Sequence, residues 1–238
     1  MSYYKYVPPK RVDILENLKI RFTQVSALND PFESFPAVRL PDDPSKRFIS
    51  IEEFQTRIRR SVETTTGIIS LSETPENVLM WSHYADSHRG FVIEFNSNHE
   101  YFKLGTQKVK YSKNRPLMIA EQGDHYTDLF STKSPDWAYE KEIRKSQLLH
   151  NNIEPLPNGN KFIRAIPGAK EDPTKIHLFD IPKEVITSVI LGWKSDNKLR
   201  FCVADALNKN SMTHVKILHA IPSKEQYRME IVSLSEKR

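Results

Sequence analysis

Cysteine is almost missing: Cys202 is the one thiol in 238 residues. It leaves no disulfide within the chain and excludes a zinc site built from several cysteines. Glycine is scarce too, at 7 residues, which excludes collagenous and fibrous classes. Neither G-x-G-x-x-G nor G-x-x-x-x-G-K-[ST] occurs, so the usual glycine-rich phosphate cradles are missing. No apolar run approaches the roughly 20 residues of a membrane helix. The opening MSYYKYVPPKR has no apolar signal core. These absences predict a soluble, cytoplasmic protein with no membrane partner. No internal repeat or low-complexity linker divides the chain, so residues 1–238 read as a single domain.

Hydrophobic residues make up 38% and charged residues 27%, enough for a core at this length. Lys plus Arg exceeds Asp plus Glu by 35 to 30, a net charge of +5. That mild excess permits an anionic partner, a nucleotide or RNA, without demanding one. The most one-sided stretch, Lys103 to Arg115, carries five cations and no acid. It reads as a lysine-guarded strand edge in preference to a phosphate-facing strip.

Short segments rich in Val, Ile, Phe and Tyr recur along the chain. The strand candidates are Tyr3–Val7, Lys19–Thr23, Gly67–Ser72, Gly90–Phe95, Val109–Tyr111, Glu142–Leu149, Phe162–Ile166, Val185–Gly192, His214–His219 and Arg228–Ser233. Helices are expected at Ile51–Thr65 behind a Ser50 cap, at Asn77–Ala85, at Pro116–Phe130 and at Asp196–Leu207. Strands that do not alternate regularly with helices predict an α+β fold with a largely antiparallel sheet and a few flanking helices.

Five segments carry chemistry-bearing side chains. Tyr3-Tyr4-Lys5-Tyr6 sets a cation among rings, with Lys10-Arg11 after it. In Asn29-Asp30-Pro31-Phe32-Glu33 the Asp-Pro step dictates a turn, and Asn29 and Asp30 are able to face a ligand. In Ser70-Leu71-Ser72 the two hydroxyls share one strand face. Trp81 and Tyr84, three apart, share a helix face, while His83 and His88, five apart, do not suit two metal ligands on one helix. The densest segment is Lys133-Ser134-Pro135-Asp136-Trp137-Ala138-Tyr139-Glu140-Lys141-Glu142-Ile143-Arg144. If a strand begins at Glu140, then Glu140, Glu142 and Arg144 share a face. On a surface that is an ordinary ion network. In a cleft it offers paired carboxylates able to stabilise a sugar cation. A strand lining a concave site is the expectation, with Trp81 and Tyr84 packed toward the same cleft.

Taken in order, Tyr4-Lys5-Tyr6, Asn29–Glu33, Ile69–Glu73, Met80–Tyr84, Gly90–Phe95, Lys133 and Trp137–Arg144 resemble the bacterial domain-of-unknown-function family two-nine-seven-one. The likeness covers about the first two thirds of the chain and returns at Val189–Gly192. It implies no settled activity; its context hints at mobile elements and phage defence. A second resemblance is to ADP-ribosyltransferases of the Arg/Ser/Glu type: Lys5 or Arg11, then Ser70-Leu71-Ser72, then Glu140-Lys141-Glu142. Lys5 in place of a first-strand Arg, and Arg144 beside the glutamates, depart from that pattern.

The second resemblance implies NAD as substrate and no metal. Lys5, Arg11 and the Tyr6 segment would bind the dinucleotide, and Ser70 and Ser72 would shape the nicotinamide-ribose pocket. Trp81 or Tyr84 would stack on the nicotinamide. Glu142 would stabilise the oxocarbenium-like transition state, and Glu140 would orient a protein or nucleic-acid acceptor. The alternatives are a non-catalytic nucleotide- or phage-component-binding module and a Mg²⁺-dependent nucleic-acid-processing enzyme.

Overall fold

The computed structural model describes residues 1–33, 35–47, 49–119, 126–149, 154–155, 163–164 and 176–233. Its frame is an eight-stranded sheet. In chain order the strands are β1 (Ser2–Val7), β2 (Thr66–Ser72), β3 (Phe91–Asn96), β4 (Thr106–Lys108), β5 (Glu142–Leu148), β6 (Ile186–Leu191), β7 (Lys216–Pro222) and β8 (Met229–Ser233). They lie side by side as β8-β7-β6-β3-β1-β2-β5-β4. Every neighbouring pair is antiparallel except β6 and β7. A parallel pair needs a crossover, and the helix between those two strands supplies it. The fold is α+β with a mostly antiparallel sheet, as the sequence predicts.

The three longest helices among the described residues flank the sheet: α1 (Ile51–Thr65), α2 (Val78–Tyr84) and α3 (Asn197–Lys209). Each starts at a capping side chain, the first of them the expected Ser50. Ser50 Oγ accepts from the Glu53 amide, Asn77 Oδ1 from Leu79 and Met80, and Asp196 Oδ1 from Leu199. Such caps satisfy amides that the first helical turn leaves unpaired.

Strand alternation sorts the two faces. One presents Val7, Ile69, Leu71, Phe91, Ile93, Ile143, Val189 and Leu191 to Leu199 and Val203 of α3 and to Ile14 and Leu15. The other presents Tyr6, Val92, Ile190 and Ala220 to Met80 and Trp81 of α2. Helix α1 packs Ile58 and Val62 near Ile68, Val25 and Met118. On the α2 face the register also aligns a polar row across six adjacent strands: Lys216, Ser188, Glu94, Tyr4, Ser72 and Glu142.

One helix expectation is corrected. Within Pro116–Phe130, Leu117–Ile119 is a strand paired in parallel with Ala37–Arg39, and only Tyr126–Leu129 is helical; residues 120–125 lie outside the described residues. Met118 turns inward to the apolar cluster under α1, and that tertiary pull overrides weak helical periodicity. Of the Phe162–Ile166 strand, Ile163–Arg164 is described and pairs with Glu154–Pro155.

Candidate functional site

The site grows from a fork in the sheet. Strand β1 pairs with β2 through Tyr4 and Ser72. Two turns of the pleat away, the same edge of β2 is bridged at Ile68 by Thr23. Ser70 lies between, and its carbonyl takes the ammonium of Lys5 at 2.9 Å. Burial lowers the Lys5 pKa to about 8; Glu142 and Glu140 oppose the shift, while the Arg11 charge adds to it.

Beside the fork, β5 sets Glu142 opposite Ser72 and Arg144 opposite Ser70. Glu142 and Arg144 share a face, as their spacing predicts. Glu140 does not belong to the strand. It ends the 3₁₀ turn Pro135–Glu140, and Lys141, at φ 44° and ψ 53°, turns the chain into β5. The strand expected to begin at Glu140 is therefore corrected: Ser134 caps a turn that carries the chain up to Glu140. Glu140 still reaches the cluster, because the left-handed Lys141 folds the turn back over β5.

The polar side chains close into one network. Arg144 sends Nε and Nη2 to Glu142 at 2.8 and 3.1 Å, and Nη2 and Nη1 to Glu33, the former at 2.8 Å; Nη1 also donates to the Phe130 carbonyl. Lys133 bridges Glu140 at 2.6 Å and Glu142 at 3.0 Å, with its ammonium 4.7 Å from the Trp137 ring centre. The Tyr84 hydroxyl donates to Glu140 and accepts from Asn29 at 2.8 Å. Ser72 Oγ donates to the Glu140 carbonyl at 2.7 Å, and Tyr111 accepts from the Glu142 amide.

All five charged members are at most 6% exposed. Charges so far from water persist only when paired and hydrogen-bonded. Burial acts to raise the Glu142 carboxyl, but Arg144 and then Lys133, with hydrogen bonds from Arg144 and Ser70, hold it at about 2. Glu33 is raised: burial prevails over Arg144, and Glu142 adds to it. Tyr84 is raised well beyond the usual phenol range, by burial first and then by Glu140, so it stays a proton donor.

Above the network the surface turns aromatic. Tyr84, Tyr139 and Trp137 are half-buried, and His83 and Asn29 are exposed. His83 Nδ1 and the Tyr139 hydroxyl are 3.1 Å apart, and the His83 ring sits edge-on to both tyrosines. Asn77, the cap of α2, donates to the Tyr139 carbonyl at 3.0 Å, fixing helix and turn together.

Residues 80–145 match the family model described as Protein of unknown function (DUF2971). This bears out the first of the two resemblances, over a shorter stretch than the residues that suggested it. No curated protein and no solved structure matches the chain. The DUF2971 match takes in α2 from Met80 onward, Lys133, Glu140, Glu142 and Arg144. Ser70, Ser72 and the Asn29–Glu33 turn join the network from outside it, and Lys5 lies next to it on the Ser70 carbonyl.

The structure thus gathers Lys5, Ser70, Ser72, Tyr84, Glu140 and Glu142, and leaves three candidates elsewhere. Trp81 is fully buried, with its indole N–H on the Pro75 carbonyl and its ring edge-on to Tyr6 at 5.3 Å. It is a core residue, which corrects the expectation of a ring open to a ligand. Tyr6 is buried beside it, its hydroxyl on the Thr74 carbonyl. Arg11 is paired with Asp13 at 2.9 Å. Sequence reasoning passed over Glu33 and Lys133 as site residues. Neither has a periodic partner nearby in sequence; the Asn-Asp-Pro turn that delivers Glu33 was the available signal.

In the basic strip, Lys108 pairs with Glu73 and Lys110 with Asp128, and Thr106–Lys108 is the sheet edge. That is the edge-guarding arrangement. Among the described residues no group of three or more His, Cys, Asp or Glu is placed to hold a metal ion. No described helix is long and apolar enough to cross a membrane.

Proposed function

We propose that the protein binds NAD at the aromatic mouth over Glu140 and cleaves its nicotinamide–ribose bond, passing the ADP-ribosyl group to an acceptor. The supporting observation is the meeting of the Ser70/Ser72 strand with the Glu140/Glu142 pair, carried on β2, on β5 and on the turn that leads into β5, with Lys5 of β1 on the Ser70 carbonyl. Rings suit the nicotinamide and adenine faces. A carboxylate held in place by Lys133 and Tyr84 suits a ribose cation, because a preorganised charge needs no reorganisation as the transition state forms.

The bonds follow from that placement. The C1′–nitrogen bond breaks and its electron pair returns to the nicotinamide ring. The cation at C1′ is stabilised by Glu140. An acceptor oxygen or nitrogen adds to C1′, and its proton passes to Glu140. Glu142, with both oxygens engaged by Arg144 and one also by Lys133, serves by holding Lys133 in position. Tyr84 orients Glu140 through its hydroxyl.

Nicotinamide release from NAD, measured over a panel of protein and nucleic-acid acceptors, tests the reading. Glu140→Gln is expected to lower turnover about 10²–10³-fold. Calorimetry with NAD separates the alternative. Binding without release with any acceptor leaves a non-catalytic nucleotide-binding module, a reading favoured by the full engagement of the network's carboxylates. Neither binding nor release discards both.

A further inference from the structure

A second polar site lies on the same sheet face, beyond the cover of α2. One step along the strands from the buried row Tyr6, Val92 and Ile190 comes the row Tyr4, Glu94 and Ser188. Glu94 is half-buried in the middle of the sheet, three strands from Glu142. Its Oε1 accepts from the Tyr4 hydroxyl at 3.3 Å and its Oε2 from Ser188. Ser188 is 2% exposed.

The contrast with the three glutamates of the network is the key observation. Glu33, Glu140 and Glu142 each touch a cation. Glu94 has two neutral hydroxyls, and among the described residues no Lys, Arg or His nitrogen comes within 4 Å of it. Lys216, in register with Ser188, is exposed and unpaired with it; Glu76, whose charge also reaches Tyr4, is bound to Arg228. Each Glu94 oxygen keeps acceptor capacity for a further donor. Two strands away on the same face and one residue pair along, Leu218 presents a half-exposed apolar surface on β7.

We propose that this site binds an organic cation, a guanidinium or ammonium on an apolar stem, with the charge on Glu94 and the stem running toward Leu218. The pairing supplies the charge-assisted bonds that the two hydroxyls do not, and basic side chains lay their stems on apolar surface in this way. The cation belongs either to a side chain of a protein partner or to a free small amine. The site stands apart from the proposed NAD reaction.

Isotope-labelled protein titrated with agmatine, with N-acetyl-Gly-Arg-Gly amide and with neutral N-butylurea decides the matter, read at the Tyr4, Glu94 and Ser188 amides. Saturable shifts are expected with both cations and none with the urea. Glu94→Gln is expected to weaken the cations at least tenfold, and Tyr4→Phe, which leaves the carboxylate in place, to retain them. Should Glu94→Gln not fold, Glu94→Asp withdraws the charge by one methylene and is expected to weaken binding several-fold. A tighter peptide assigns the site to a partner's side chain; tighter agmatine assigns it to a free amine. Absence of saturation, shifts centred elsewhere, or cation affinity unchanged in the Glu94 variants overturns the proposal. Glu140→Gln, which tests the NAD reaction, is expected to leave these titrations unchanged.

Discussion

Arg144 carries more of the structure than any neighbouring charge. Its planar fork serves Glu142 on β5 and Glu33 from the Asn-Asp-Pro turn at once. A lysine has one point charge and cannot reproduce two such geometries. Arg144→Met leaves two carboxylates buried without that partner, and urea unfolding is expected to show a loss of about 3–5 kcal/mol. Arg144→Lys is expected to fall between this variant and the parent. Arg57→Ala breaks an exposed pair with Glu53 and is expected to change stability by less than about 0.5 kcal/mol. Equal losses in Arg144→Met and Arg57→Ala would contradict the assignment of the buried fork. In the sequence, the shared face of Glu142 and Arg144 was legible because side chains two apart on a strand point the same way. Glu33 was not, because its approach depends on a loop docking 111 residues away from Arg144.

At the scale of elements, Lys141 is the joint that brings Glu140 back over β5. Its φ of 44° is a conformation a β-branched side chain resists and glycine accepts freely. Lys141→Gly is expected to keep the fold and stability within about 1 kcal/mol, and Lys141→Val to cost about 1–3 kcal/mol, both read by thermal unfolding. Valine costing no more than glycine would place the joint elsewhere. Asn77 is a second joint, capping α2 while donating to the Tyr139 carbonyl. Asn77→Ala is expected to cost more than the ~1 kcal/mol of an ordinary cap, and to disturb Tyr139. Elements of this kind explain what sequence reading reached. The strands of the sheet other than the edge strand Thr106–Lys108, and the three capped helices, follow from local propensity and capping chemistry, which act within a few residues. The turn at Pro135–Glu140 escaped because its polar pattern at 140, 142 and 144 has the period of a strand; only the left-handed residue at 141 tells the two apart. The fork at Ser70 escaped because it depends on which strand reaches β2, a long-range choice.

For the whole molecule, the network makes stability depend on pH in a predictable direction. The Glu142 carboxyl, about 2 in the folded chain against 4.5 when free, binds fewer protons folded than unfolded below pH 4.5. Its contribution is therefore fully present above about pH 4.5 and is lost as pH falls toward 2, an effect of about 3 kcal/mol. Glu33 works the other way. Its raised carboxyl favours the folded chain when protonated, a contribution present below its unfolded pKa and lost as pH rises through the folded one. The acid limb is thus a difference between two carboxylates on one guanidinium, with Glu142 contributing the loss of stability. Urea unfolding free energies measured from pH 7 to pH 2.5 are expected to decline in the parent below about pH 4.5. Glu142→Gln has no such proton to take up, so it should start lower at pH 7 and decline less steeply. Glu33→Gln removes the opposing carboxyl and should leave the decline steeper. On the alkaline side, Lys5 at about 8 against 10.5 when free sheds its proton earlier folded than unfolded, so its share of stability grows as pH rises across that interval. Lys5→Met should abolish that rise, and an acid decline that persists in full in Glu142→Gln would show that the buried network does not set the molecule's response to acid.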